Sequence, residues 1–162
     1  MSDSNAPPEA PPPHEPVTVV IGPAPFNAHE GIAELLREAS LPVPDAGDSP
    51  VQMMAAFAGP HLIGCVGWEH YGEHALLRSL AVLDQVRGEK VGRALVEALV
   101  AVLEGIGIGD VWLLTTDASG WFARHAFEPV PREAVPEAVK ASKEFTLACC
   151  ESARAMRRRI GA

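Results

Sequence analysis

The apolar residues of this chain fall into stretches of two periodicities, and their order predicts an alternation of strands and helices. Val17 to Ile21 is a short β-branched run and predicts the first strand. Asn27 can cap a helix whose apolar positions Ile32, Leu35 and Leu36 follow helical spacing up to Ser40. Leu41 to Pro50 holds three prolines and two aspartates and reads as a loop. Val51 to Ala58 and His61 to Glu69 then predict a hairpin closed at Gly59-Pro60, and Tyr71-Gly72-Glu73 turns the chain into a further strand, Leu76 to Leu83.

From about Lys90 to Leu103 the period lengthens. Val91, Ala94, Leu95, Leu99, Val102 and Leu103 form one stripe of an amphipathic helix, and Gly105 and Gly107 end it. Val111 to Leu114 is wholly apolar, as suits a strand in the sheet interior. A short helix, Ser119 to His125, leads to a strand near Phe127 to Val130; Arg132 to Phe145 reads as another helix with Pro136 in its first turn, and Ser152 to Arg159 as the last strand. Strand–helix–strand connections of this kind predict a mixed α/β sheet with helices on its faces. Met1 to Pro16, with six prolines, two glutamates and almost nothing to bury, reads as a disordered tail, which leaves one domain over residues 17–160.

Composition narrows the partners. A net charge of −8 argues against nucleic acid, whose phosphates need a basic face; the run Arg157-Arg158-Arg159 reads as a solvated strand end. No apolar stretch is long enough to span a membrane, and the acidic N-terminus lacks a signal core. Three cysteines, Cys65, Cys149 and Cys150, make no disulfide framework, so a reducing cytoplasm fits best. His70 and His74 lie four apart across a turn with no Cys or Asp to complete a ligand set, so no metal is expected.

The chemistry concentrates where the strand Leu76-Leu77-Arg78-Ser79-Leu80-Ala81-Val82 runs through a polar turn into the long helix. The first N–H groups of a helix have no intrahelical partner and carry the positive end of its dipole, which suits them to an anion. Gly88 and Gly92 let a diphosphate approach the backbone, and Arg87, Lys90 and Arg93 add positive charge. Neither the G-x-G-x-x-G dinucleotide fingerprint nor the P-loop pattern is present. The segment Arg87-Gly88-Glu89-Lys90-Val91-Gly92 resembles instead the R-x-x-G-x-G/A signature of the GNAT family of N-acetyltransferases, with Lys90 where the family usually has its first signature glycine. Lysine tolerates a left-handed backbone poorly, so the loop is expected to be right-handed there or slightly strained.

The resemblance covers about residues 17–160 and is closest to small arsenic-resistance acetyltransferases akin to the acetyltransferase half of N-acetylglutamate synthases. Leu76-Leu77-Arg78-Ser79-Leu80-Ala81-Val82, Leu113-Leu114-Thr115-Thr116, Trp121-Phe122-Ala123-Arg124 and Val130-Pro131-Arg132-Glu133-Ala134-Val135-Pro136 carry it, together with Phe145, Cys149, Ser152-Ala153 and Met156. It implies a mostly antiparallel sheet with helices on both faces, and transfer of acetyl from acetyl-CoA to the amino group of a small amino-acid-like metabolite or toxin, with arsenical or phosphinic mimics among the acceptors. It also implies that Leu80, Ala81 and Val82 orient the pantetheine arm, and that Arg87 to Arg93, Glu89 and Val91 included, cradle the pyrophosphate. The fold it implies often dimerises through its last strands.

The residues themselves leave several roles open. Phe122 stands where the family often has an acid tyrosine, and reads as a pantetheine wall or a plain core aromatic. Arg78 shares a strand face with Leu76, Leu80 and Val82 by simple alternation, and reads as a fork for an acceptor carboxylate or as an ion pair with Glu69 or Glu73. Thr115 and Thr116 can hydrogen-bond acceptor or cofactor, or serve only as strand residues. Glu69 and Glu73 are candidate general bases or solvated turn carboxylates, with Glu69 the preferred one. Cys149-Cys150 would point to opposite faces of a strand, which disfavours joint metalloid ligation. A degenerate, regulatory domain binding CoA or a metalloid is the rival reading.

Overall fold

The computed structural model describes residues 18–44, 50–86, 90–146 and 152–161. Seven strands form one sheet: β1 (Val19–Pro23), β2 (Gln52–Ala58), β3 (His61–Tyr71), β4 (His74–Val82), β5 (Asp110–Thr115), β6 (Glu128–Val130) and β7 (Arg154–Arg159). Their order is β1-β2-β3-β4-β5-β7-β6, antiparallel throughout except for the β4–β5 pair. The expected mixed, mostly antiparallel sheet is therefore present. Gly59 and Gly72, at φ +59° and +62°, make the two tight turns that join β2 to β3 and β3 to β4.

Alternation along the strands sends neighbouring residues to opposite faces of the sheet. On one face lies α2 (Val91–Gly105), whose Leu95, Val96, Leu99, Val100 and Leu103 pack over Met54, Ala56, Val66, Trp68, Leu77 and Leu113. On the other, α1 (His29–Glu38) buries Ile32, Leu35 and Leu36 against Ala55, Cys65 and Ala81. Further along that second face, Val135 and Val139 cover Leu76, Trp112 and Ala155.

Three local expectations are corrected. The buried stripe of α2 is rotated from the predicted one: Val96 and Val100 point inward, whereas Ala94 and Val102 are exposed, because helix face is set by the sheet beneath and not by apolar content alone. Asn27 does not cap α1; it sits inside a 3-10 turn over Phe26–Ala28, and the cap position, Ala28, offers no side-chain acceptor. The single helix expected over residues 132–145 is three pieces: a 3-10 turn Arg132–Ala134, α4 (Glu137–Lys140) and α5 (Lys143–Thr146). Pro136 has an extended ψ of 144° and precedes α4, so it breaks the segment rather than starting one long helix. Between β5 and β6 stands α3 (Ser119–Ala123). The proline-rich tail and Cys149-Cys150 lie outside the described residues.

Cys65 is fully buried under α1, and burial pushes its thiol up to about 12, against a smaller opposing pull from the backbone of Ala81. It is expected to stay unmodified by iodoacetamide at pH 8 in the folded chain and to label once the chain is unfolded in guanidinium, as read by peptide mass mapping.

Candidate active site

The strands β4 and β5 begin side by side and then part. Only His74, Ala75 and Leu76 pair with β5, opposite Asp110, Val111 and Trp112. Beyond that point β5 stays paired with β7 through Thr115, while β4 runs on to Val82 with no strand among the described residues on that side. The sheet thus opens a fork whose one wall is the backbone of Leu77 to Val82.

A bulge shapes that wall. Cys65 of β3 faces Ala81 and Gly67 faces Arg78, so one β3 residue opposes both Ser79 and Leu80. Ser79 takes a left-handed backbone at φ +58° although it is buried. Its carbonyl accepts from the Cys65 thiol at 3.4 Å and its hydroxyl from Arg78 Nε at 3.2 Å. The extra residue reverses the alternation. Leu80 and Val82 pack on the α2 face, Ala81 on the α1 face, and Arg78 shares its face with Leu76 alone of the three residues predicted. Simple alternation misplaced it because a bulge leaves no period-2 signal.

At the mouth of the fork stands the N-terminus of α2. Its first internal hydrogen bond runs from the Ala94 N–H to the Lys90 carbonyl at 3.0 Å, so the N–H groups of Val91, Gly92 and Arg93 point out of the helix without an internal partner. Lys90 precedes them at φ +65°, ψ 18°, the strained alternative of the two expected. Arg87, Gly88 and Glu89 lie outside the described residues. Gly92 has a definite structural reason: a Cβ there would stand 3.2 Å from Cζ2 of Trp121, so its bare backbone admits the α3 indole. Trp121 in turn lies over His125 with ring centres 4.1 Å apart.

Arg93, Glu97, Arg124 and His125 line a groove of about 300 Å³ between α2 and the end of α3. Glu97 is taken up by Arg158 at 2.8 Å, and this hydrogen bond holds its carboxyl below the usual range. Burial, reinforced by the charges of Arg93 and Arg124 and opposed by Glu97, lowers the His125 imidazole below its ordinary value. Phe122 is buried edge-on against Phe127, ring centres 5.5 Å apart, and against Trp121. Thr115 is buried, its hydroxyl accepting from the Ala118 N–H at 3.0 Å, and Thr116 is exposed.

The opposite face carries a buried charge cluster. Glu69, only 2% exposed, accepts from Arg78 Nη1 at 2.9 Å, from Ser142 Oγ at 2.9 Å and from the Tyr71 hydroxyl. Arg78 Nε also meets Glu144 Oε1 at 3.2 Å. Its guanidinium therefore has two carboxylates of the protein's own. Burial raises the Glu144 carboxyl above its ordinary value, with Arg78 opposing and Glu69 reinforcing. Local sequence gave no sign of Tyr71, Ser142 or Glu144, because nothing short of the tertiary fold brings α5 over β3 and β4. Among the described residues no group of three His, Cys, Asp or Glu gathers as metal ligands.

A family model described as the acetyltransferase (GNAT) family matches residues 23–128, which hold β2 through β5, the fork and α1 to α3. The chain belongs to the GNAT family. An uncharacterized N-acetyltransferase from Chlorobaculum tepidum is 38% identical over 79 residues, 48% of this chain and 50% of that protein. The N-acetylglutamate synthase of Neisseria gonorrhoeae, solved with coenzyme A and N-acetyl-glutamate, superposes with TM-score 0.76 at 20% identity, over 91% of this chain and 36% of that one. Rv2747 from Mycobacterium tuberculosis, solved with CoA, gives 0.72 at 17% identity, over 86% of this chain and 98% of that one. At these identities the two solved structures establish the shared GNAT fold. The chain spans about half the length of its curated relative and about a third of the Neisseria protein.

Removing Arg78 from this GNAT domain would leave Glu69 buried without its counter-charge. Arg78→Ala is expected to lower unfolding free energy by about 3–5 kcal/mol in urea titration at pH 7, with a substantial part restored in the double variant Arg78→Ala/Glu69→Gln.

Proposed function

We propose that the chain transfers the acetyl group of acetyl-CoA to the amino group of a small amino-acid-like metabolite or toxin, arsenical and phosphinic amino-acid mimics included. The observation that carries this is the fork: an extended strand edge that no strand among the described residues pairs, leading to a helix N-terminus whose first N–H groups have no partner within the helix. An extended amide-bearing arm ending in a diphosphate has the complementary shape. The pantetheine amides would pair along Leu80, Ala81 and Val82 as an added strand does. The diphosphate would rest on the N–H groups of Val91, Gly92 and Arg93, with Lys90 beside it, and Arg87, Gly88 and Glu89, which precede them in sequence, are candidates for further contacts. The groove at Arg93 and Arg124 extends the positive surface in the same direction.

Acetyl transfer then asks three things of the protein. The thioester must be held in line with the acceptor amine, which the fixed strand edge supplies. The oxyanion formed at the carbonyl needs a donor, and a backbone N–H of the bulged segment beside Ser79 supplies it. The acceptor must lose a proton to become nucleophilic, and a nearby carboxylate, directly or through a water, can take it. An acceptor carboxylate would reach Arg78 only by displacing Glu144, so Arg78 serves chiefly to hold the charge cluster, while Thr115 and Thr116 border the fork's far wall.

Release of free CoA thiol from acetyl-CoA is the direct test, screened over amino acids, phosphinothricin-type and arsenical analogues, polyamines and short peptides. Turnover is expected with an amino-acid-like amine; tight acetyl-CoA binding with no turnover on any of them would instead mark a CoA-binding regulator. Gly92→Glu places bulk against Trp121 and a negative charge in the cradle. It is expected to abolish acetyl-CoA binding in calorimetry while the far-ultraviolet circular dichroism stays that of the folded chain.

A further inference from the structure

The buried cluster on the second face of the sheet contains two carboxylates with different surroundings. Glu69 is closed off: three donors hold its oxygens, and its side chain is 2% exposed. With three donors on its two oxygens and almost no exposure, it has no open side from which a substrate could reach it. Glu144 differs on every count. One oxygen meets Arg78 Nε at 3.2 Å, no donor among the described residues holds the other, and its side chain is 14% exposed, the most open of the three charged members.

Its placement is fixed from two sides. Ser142 Oγ donates to Glu69 and accepts from the backbone N–H of Glu144 at 3.2 Å, which ties the start of α5 to β3. Arg78 Nε lies 3.2 Å from both Glu144 Oε1 and the Ser79 hydroxyl, which ties the carboxylate to the bulge. The bulge is where β4 stands apart from β5. A cationic amine approaching the bulge from this face meets two carboxylates and one guanidinium, an excess of one negative charge when both are ionised.

Resting on the acetyl-transfer reading above, we propose that Glu144 is the carboxylate that takes the proton from the acceptor's ammonium group, and that Arg78 is the residue that positions it. The acceptor R–NH3+ gives one proton to Glu144 and becomes R–NH2. The nitrogen lone pair attacks the thioester carbon, and the carbon–sulfur bond breaks as the carbonyl re-forms. A second nitrogen proton passes to the departing CoA thiolate, and Glu144 releases its proton to solvent. The charged groups facing Glu144 are Glu69 on β3 and Arg78 on β4, acting in opposite senses on its carboxyl, whose raised position suits a proton acceptor.

The test is the pH dependence of kcat/KM for CoA thiol release, with acetyl-CoA and an α-amino acid of the panel above that turns over. With the base in place the protein uses the ammonium form, so the wild-type value is expected to stay level from pH 8.5 down to about 6.5. In Glu144→Gln only the neutral amine reacts, a fraction that grows about tenfold per pH unit until the pH reaches the ammonium's own pKa. That variant is expected to be at least about tenfold slower than wild type at pH 7, to gain on it steadily as the pH rises, and to approach it once the amine is largely neutral. A constant deficit at pH 7 and 9 would overturn the proposal, as would a wild-type profile that itself rises tenfold per unit below pH 8. The wild-type arm decides even where the variant fails to fold, which a thermal melt reports. Unchanged acetyl-CoA affinity in Glu144→Gln is expected and separates the outcomes: turnover with the wrong pH profile removes Glu144 alone, whereas a wild-type chain that neither binds nor turns over acetyl-CoA removes the transferase reading and this one with it.

Discussion

Ser79 holds a left-handed backbone in the middle of a buried strand, and the geometry of both sheet faces depends on it. A non-glycine residue in that region costs of order 1 kcal/mol. The surroundings over-determine it: the Cys65 thiol engages its carbonyl and Arg78 its hydroxyl. Because the bulge reverses side-chain alternation, the strand can send Leu77, Leu80 and Val82 to the α2 face yet keep Arg78 on the other. The bulge lies just past the point where β4 parts from β5, after three paired residues. Without it, simple alternation would set Arg78 beside Leu80 and Val82 over one core.

The charge cluster depends on the same feature. Arg78 emerges beside the bulge under a segment that Pro131 and Pro136 break into short turns. Those turns drape Val135 and Val139 over Leu76 and Trp112, and the apolar contact carries Ser142 and Glu144 down onto Glu69 and Arg78. Taking charges out of water is costly unless each finds partners, and here each member has at least one. One consequence is a sharp division of labour between the faces. The α2 face presents N–H groups and guanidinium groups suited to phosphate, whereas the opposite face carries excess carboxylate suited to an ammonium.

Other residues show the same economy. Gly92 stands in the second position of α2, where a side chain would strike Trp121. The indole thereby closes the gap between α2 and α3, and it brings His125 against the groove that Arg93 and Arg124 line. The basic run of β7 is taken up in ion pairs: Arg157 with Glu128 at 2.7 Å and Arg158 with Glu97 at 2.8 Å. Arg93 and Arg124 have no such partner among the described residues, which leaves their charge directed at the groove.

The order of strands and helices, the two glycine turns, the sheet-interior strand β5 and the helix N-terminus after β4 were all legible in the sequence. Each is decided locally, by period, by turn chemistry or by a helix-ending glycine. The motif Arg87 to Gly92 pointed to the family on the same local grounds. What tertiary structure decided is of another kind. Which face of α2 is buried, with Val96 and Val100 in and Val102 out, depends on the sheet beneath it. The broken segment 132–146 depends on what it covers, and the bulge at Ser79 depends on register with a strand fourteen residues away. The meeting of Glu69, Arg78, Ser142 and Glu144 joins residues as far as 73 positions apart, which no window of sequence spans. Local propensity fixes which elements form, but a buried charge finds its partner only when packing has brought distant elements together.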